Sequence, residues 1–331
     1  MSLPVETKPG SGGLHAEAAD FESKPGMTES TRRLPKTLNL GAFKELDVAL
    51  DPVHGALWCL MRPNDSASFT AGLLRELVAA NKLIHQLHAE RPRGELSPVQ
   101  FWVVGSDLPD IFNLGGDLGF FIKCARAGDR GALRNYAHVC VEATFRAGYG
   151  MNVPCITLMV VQGDALGGGF EAAISGHVLI AERGARMGMP EVLFGTFPGM
   201  GAYSFLARKL DSRRAEKMIL SGKIFLAEEL YDMGIVDVLA DKGGGREAAR
   251  QFMAENKRRQ PLLCAIDRVR KRVAPVTREE LLDVTDIWVD RTMELGDQDI
   301  RKMELLVKAQ TRRRRRGAAE SALHAAPAGG P

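Results

Sequence analysis

Between residues 44 and 182 the apolar positions fall into two alternating patterns. Short runs at 44–50, 55–61 (GALWCLM), 99–105 (VQFWVVG), 155–161 (CITLMVV) and 177–181 (HVLIA) are bounded by turn residues and predict strands. Between them, residues 68–90 place Phe69, Leu73, Leu77, Ala80, Ile84 and Leu87 at helical spacing, with Ser68 as an available cap, and 129–148 reads as a long helix. The stretch from 106 to Gly116 reads as irregular. Further helices are predicted over 200–220, 227–233 and 245–258, with a short strand at 235–239. Beyond Gly243–Gly245 the pattern is helical, interrupted by Pro261 and Pro275. Thr277 and Glu280 form a T-x-x-E capping box opening a helix with Leu281, Val284, Trp288 and Leu295 on one face. The class this predicts is α/β with a helical C-terminal region.

The ends differ from the middle. Residues 1–36 hold four Gly, four Pro and ten charged residues around isolated apolar ones, the composition of a flexible leader. Residues 317–331 are low-complexity in the same sense. The expected organisation is a leader (1–36), an α/β core (37–245), a helical C-terminal region (246–312) and a basic, low-complexity tail (313–331).

Composition narrows the function classes. The chain is 45% hydrophobic and 26% charged, a globular balance, and has no apolar run of membrane-spanning length. Its five cysteines are widely spaced and contain no CxxC, which disfavours a disulfide scaffold or zinc site and, with no secretory signal visible, fits a reducing cytoplasm. The net charge of +3 hides a local +7 between Arg301 and Arg316, so the remainder is mildly acidic. That distribution argues against a general nucleic-acid binder, and the arginines at 312–316 have no interleaved aromatics.

The densest chemical signal is QGDALGGGFE (162–171), a strand running into glycines and then a helix. Such a turn presents free backbone N–H groups to negative charge. It lacks the Lys-Ser/Thr of a phosphate loop, and close helix–strand packing is an equally good reading of the glycines. A second glycine turn, FNLGGD (112–117), can supply another N–H, and two such donors make an oxyanion hole. Glu171 and Glu191 both stand among apolar and small residues, where a carboxylate is costly unless used or paired. Such a pair can divide general acid and base work; alternatively, Glu171 serves its own helix dipole and Glu191 caps a turn. His177 starts an apolar strand and reads as structural. The other histidines form no ligand-spaced set, no Gly-x-Ser-x-Gly elbow is present, and neither metal nor redox cofactor is called for.

VQGDALGGGFEAA followed by MPEVLFGTFPGMG resembles the crotonase (enoyl-CoA hydratase/isomerase) superfamily. The resemblance implies a spiral of ββα units with a helical trimerisation region. It also implies an oxyanion hole at the N–H groups of Gly116 and Gly168, beside Gly115, and catalytic glutamates at Glu171 and Glu191. A narrower similarity spans roughly 40–312. FNLGGDLGFF, ALGGGFEAA, MGMPEVLFGTFPGMGAYSFLARKL and DIWVD…MELG resemble the diffusible-signal-factor synthases of bacterial quorum sensing. FNLGGD stands where hydratases carry a lysine and alanines; the longer leader and Arg-rich end depart from the synthases. This likeness implies dehydration of a 3-hydroxyacyl thioester of acyl carrier protein, or of CoA, to a cis-2-enoyl thioester, then hydrolysis to the free fatty acid. Glu191 would take the C2 proton and Glu171 protonate the 3-hydroxyl, or the reverse. Met200, Trp288 and Leu306 are candidate acyl-pocket walls, with ordinary core or trimer packing as the alternative. The implied partners are further copies of the chain, as trimer or dimer of trimers, and the sensor kinase of the signalling system. Two rivals remain: a conventional enoyl-CoA hydratase/isomerase, and a non-catalytic module whose arginine run holds RNA or an acidic protein.

Overall fold

The long apolar runs become strands because both of their faces are covered. In the computed structural model, which describes residues 43–325 apart from 65, 92–94 and 96, the chain opens with β1 (Leu46–Asp51), β2 (Ala56–Met61) and α1 (Ala71–Ala89). It continues with β3 (Phe101–Ser106), β4 (Ile111–Asn113), α2 (Leu118–Ala127) and α3 (Arg130–Ala147), then β5 (Ile156–Val161), β6 (Asp164–Leu166), α4 (Gly168–Ser175), β7 (Val178–Glu182) and β8 (Arg186–Gly188). After a 3-10 turn at Pro190–Phe194 come α5 (Ala202–Lys209), α6 (Ser212–Ser221), β9 (Ile224–Leu226), α7 (Ala227–Asp232) and β10 (Val238–Ala240). Four helices close the chain: α8 (Gly245–Asn256), α9 (Gln260–Val273), α10 (Arg278–Met293) and α11 (Asp297–Ala325). The leader lies outside the described residues, as does 326–331; the described chain belongs to one compact unit, Leu34–Pro331.

The strands sort into two sheets. One runs β1-β2-β3-β5-β7-β10, parallel except for the β1–β2 hairpin; the other is β4-β6-β8-β9. Successive turns of chain thus place one strand in the large sheet (β3, β5, β7), one in the small sheet (β4, β6, β8) and then a helix, which is the spiral of ββα units. Side chains of the large sheet alternate between two cores. Leu57, Cys59, Trp102, Val104 and Met159 face the cluster under α1 and α4, while Phe101, Val103, Leu158 and Ile180 face Ala249 and Met253 of α8. Burial on both faces explains why FWVV and ITLMVV read as unbroken apolar runs rather than alternating ones.

Several expectations are corrected. The cap of α1 is Thr70, whose hydroxyl accepts from Leu73 N at 2.9 Å; Ser68 bonds Ser66 instead. The helix expected over 200–220 breaks in two because Asp211 caps α6, accepting from Arg214 N at 2.8 Å. Thr277 accepts from Glu280 N, but the Glu280 carboxylate goes to Arg208 at 2.9 and 2.8 Å, so only half of the capping box forms. Pro261 opens α9 at its first turn instead of interrupting a helix. The arginine run is not a separate tail in its backbone: α11 passes through it without a break.

Candidate active site

Both glycine turns sit where a strand of the small sheet meets a helix, so they face each other. After β4, Asn113 Oδ1 accepts from Gly115 N at 2.8 Å and the Gly115 carbonyl accepts from Phe69 N at 2.8 Å. Asp117 N donates at 3.1 Å to the Tyr136 hydroxyl, which donates at 2.5 Å to the Phe69 carbonyl. Burial pushes the Tyr136 phenol up, so it stays a hydroxyl able to play both parts. After β6, the turn at Gly167 starts α4. Among the described residues, neither Gly116 N–H nor Gly168 N–H has a hydrogen-bond acceptor. The two turns are in close contact: a Cβ on Gly115 (φ +95°) would lie 3.1 Å from Gly168 N, and one on Gly168 would lie 3.5 Å from Gly116 N. Two neighbouring free donors of this kind can hold one oxyanion.

The glutamates reach the same place by different routes. Glu171, 1% exposed in the first turn of α4, accepts from Met200 N at 2.7 Å and Ala202 N at 2.9 Å through Oε1. Glu191 sits in the 3-10 turn, buried, with Oε1 against Gly167; a Cβ there would come within 2.6 Å of it. Among the described residues its Oε2 is buried without a partner. Burial pushes both carboxyls far above the ordinary carboxylate range and into the neutral region, and the charge of Glu171 raises Glu191 further. The N–H donors of residues 200–202 pull Glu171 back down, so a shared proton resides preferentially on Glu191. One consequence is spectroscopic. A protonated carboxyl band should persist in the infrared spectrum at neutral pH, where free glutamates with a pKa of about 4.3 are ionised. It should weaken in Glu191→Gln to the share that burial alone keeps on Glu171; a variant spectrum identical to wild type would contradict this charge state.

All eight residues singled out from the sequence, Gly115, Gly116, Gly168, Glu171, Glu191, Met200, Trp288 and Leu306, line a single cavity of about 330 Å³. Its walls are mostly apolar. Trp288 packs edge-on against Phe121 with ring centroids 5.0 Å apart, and a Cβ on Gly199 would strike its indole at 2.3 Å. Met303, Leu306 and Gln310 of α11 form one side, with Gln310 donating to the Leu114 carbonyl at 3.1 Å. Sequence reasoning missed four contributors: Asn113 and Tyr136, which brace the first turn, and Asp164 and Arg186, which stand at the cavity edge with Arg313 of the arginine run. The only available signals were an Asn before the glycines and an Asp heading the second turn; nothing local marks Tyr136. His177 lies away from the cavity, accepting from Thr157 N and facing Asp267 at 3.3 Å. Among the described residues no three His, Cys, Asp or Glu side chains cluster as a metal site, and no helix is long and apolar enough to cross a membrane.

Comparisons with known proteins bear on the family and the fold. A family model described as enoyl-CoA hydratase/isomerase matches residues 58–302. An enoyl-CoA isomerase/hydratase of Zymoseptoria tritici is 28% identical over 180 residues, covering 54% of this chain and 55% of that protein. A peroxisomal fatty acid beta-oxidation multifunctional protein of Arabidopsis thaliana is 30% identical over 161 residues, 48% of this chain and 22% of that one. The chain thus spans less than two thirds of either relative. Among solved structures, DspI of Pseudomonas aeruginosa superposes with a TM-score of 0.59 at 25% identity, over 73% of this chain and 96% of that one. An enoyl-CoA hydratase of Bacillus halodurans gives a TM-score of 0.64 at 22% identity, over 78% and 98%, a likeness of fold.

Proposed function

Since the chain belongs to the enoyl-CoA hydratase/isomerase family, we propose that it acts on a 3-hydroxyacyl thioester, removing water to give a cis-2-enoyl thioester and then hydrolysing it to the free acid. The observation that carries the proposal is the meeting of two glutamates and two unpartnered N–H groups in one apolar cavity. Dehydration breaks the C2–H bond and puts negative charge on the thioester oxygen, which Gly116 and Gly168 N–H would hold. It needs one carboxylate and one carboxylic acid at once, the state that burial and mutual repulsion favour in this pair. The resting proton favours Glu171 as the ionised member, opposite to the split read from the sequence.

A second step follows from the proton inventory. After dehydration the base has gained a proton and the acid has lost one, so the pair still holds one proton with the roles exchanged. Water can then add to the thioester carbon, giving its proton to the ionised glutamate. The tetrahedral oxyanion forms in the same hole, and the protonated glutamate supplies the departing thiol. Atoms and charge close without a further group. The names of the curated relatives favour a second reading, hydration or isomerisation of an enoyl-CoA without hydrolysis.

The deciding experiment is mass spectrometry of the products formed from a 3-hydroxydodecanoyl carrier-protein thioester and the matching CoA thioester. Free cis-2-enoic acid is expected. A trans-enoyl thioester with no acid released would overturn the hydrolytic step and move the chain to the second reading.

A further inference from the structure

A separate cavity, of about 410 Å³, shares no lining residue with the reaction cavity. It opens where the far half of α1, the end of α3 and the first turn of α10 meet. His85 comes from α1, Glu142, Phe145 and Arg146 from α3, Gly150 from the turn that follows, and Arg278 from α10. We propose that this cavity binds the phosphate group of a small organic phosphate. The assignment does not depend on the thioester reading, because none of its residues belongs to the reaction cavity.

Charge is the first argument. Glu142 stands between two guanidiniums: Arg146 Nε donates to its Oε1 at 2.5 Å and Arg278 Nε to its Oε2 at 2.8 Å. Burial works to raise the Glu142 carboxyl, yet the two guanidiniums hold it below its ordinary range, so it stays ionised. Among the described residues no other carboxylate lines the cavity; Glu279 follows Arg278 in the chain but lies outside the lining. One carboxylate cannot neutralise two guanidiniums, and the cavity keeps a positive excess.

Unused donors are the second. Glu142 engages both arginines through Nε, which fixes each guanidinium plane and leaves its terminal N–H groups for a ligand. Among the described residues Arg278 makes no further side-chain hydrogen bond, and Arg146 only one, from Nη1 to Asn81 Oδ1 at 3.3 Å. His85 adds a buried Nε2 that has no partner among the described residues. Burial, and then the charge of Arg146, push this imidazole down, so at neutral pH it is uncharged and still has one N–H to give. A buried ring nitrogen without a partner is costly, and a ligand oxygen would remove that cost. Donors arriving from three separate elements suit the three terminal oxygens of a phosphate better than the two coplanar oxygens of a carboxylate. The cavity is also larger than a bare phosphate ion. Its remaining space has an apolar wall in the Phe145 ring, which lies so close over Gly150 that a Cβ there would come within 2.8 Å of it.

The test is calorimetry of phenyl phosphate on the full chain, with inorganic phosphate and benzoate as comparison probes. One equivalent of phenyl phosphate should bind, and both comparison probes should bind more weakly. Arg278→Gln should weaken phenyl phosphate by about tenfold, the order of one charge-assisted contact. That side chain is 49% exposed in the first turn of α10, so its loss leaves the fold intact. His85→Leu should weaken it several-fold. Arg183→Gln alters a different basic cavity, the one beside Asp164 and Arg186, and should bind phenyl phosphate as wild type does. No binding by wild type, or wild-type affinity in Arg278→Gln, would overturn the proposal. So would a loss confined to Arg183→Gln, which would place the anion in that other cavity. Benzoate binding as tightly as phenyl phosphate would overturn the choice of phosphate, and inorganic phosphate binding as tightly would overturn the organic part of the ligand.

Discussion

Glu171→Gln and Glu191→Gln should each abolish most dehydration, lowering kcat by about 10²–10⁴ while the protein stays folded. The expectation rests on proton count. A glutamine at either position keeps the shape and one acceptor oxygen, so the amide in Glu171→Gln can still receive Met200 and Ala202 N–H, but the pair can no longer offer a carboxylate and a carboxylic acid at once. Because the two act as a unit, the double variant should be little worse than either single one. Loss in only one variant would mean that the other glutamate packs or positions and transfers no proton.

Stability gives an independent reading of the same residues. Glu191 has its folded pKa raised by burial, so the native state binds its proton more tightly than the unfolded chain does. Its effect on stability is therefore absent below the unfolded value of about 4.3 and becomes increasingly unfavourable as pH rises toward the folded value. Glu191→Gln should thus raise the Tm at neutral and alkaline pH and leave it nearly unchanged in acid. A variant that is inactive yet more stable above neutrality cannot have lost activity by unfolding. An equal loss of Tm at every pH would show that Glu191 is structural.

How much of this was legible in the sequence depends on range. The large sheet was readable because each strand is a continuous apolar run, and the turn glycines and the two glutamates were readable because each follows a strand in the chain. The second sheet was not: β4, β6, β8 and β9 are three residues each, too short to show a period, and they exist because neighbouring turns of the spiral pair with them. The hydrogen bond from Asp117 N–H to Tyr136 and the arrival of Arg313 at Asp164 join residues 19 and 149 apart. Asp164 carries no local mark of its partners, so an arginine run that reads as solvated becomes part of a cavity wall only in three dimensions.

The oxyanion hole supplies the other large effect: Gly115→Ala should lower kcat by about 10²–10³, the loss typical of removing one donor, even though Gly115 itself donates nothing to the reacting oxygen. Its φ of +95° is already costly for alanine, and the added Cβ would lie 2.8 Å from the Leu166 carbonyl and 3.1 Å from Gly168 N. Both neighbours are backbone, so relief requires the two turns to separate, and separation pulls Gly116 N–H away from Gly168 N–H. Gly128→Ala is the matched control. That glycine also has a positive φ, +67°, but none of the described residues lies within 4 Å of its Cβ position. It should cost about 1 kcal/mol of stability and leave kcat intact. If the two alanine variants lose stability alike and both keep their rate, the facing turns are a packing device and the oxyanion is held elsewhere. If only Gly115→Ala loses kcat, with KM little changed, the spacing of the two turns is what stabilises the transition state.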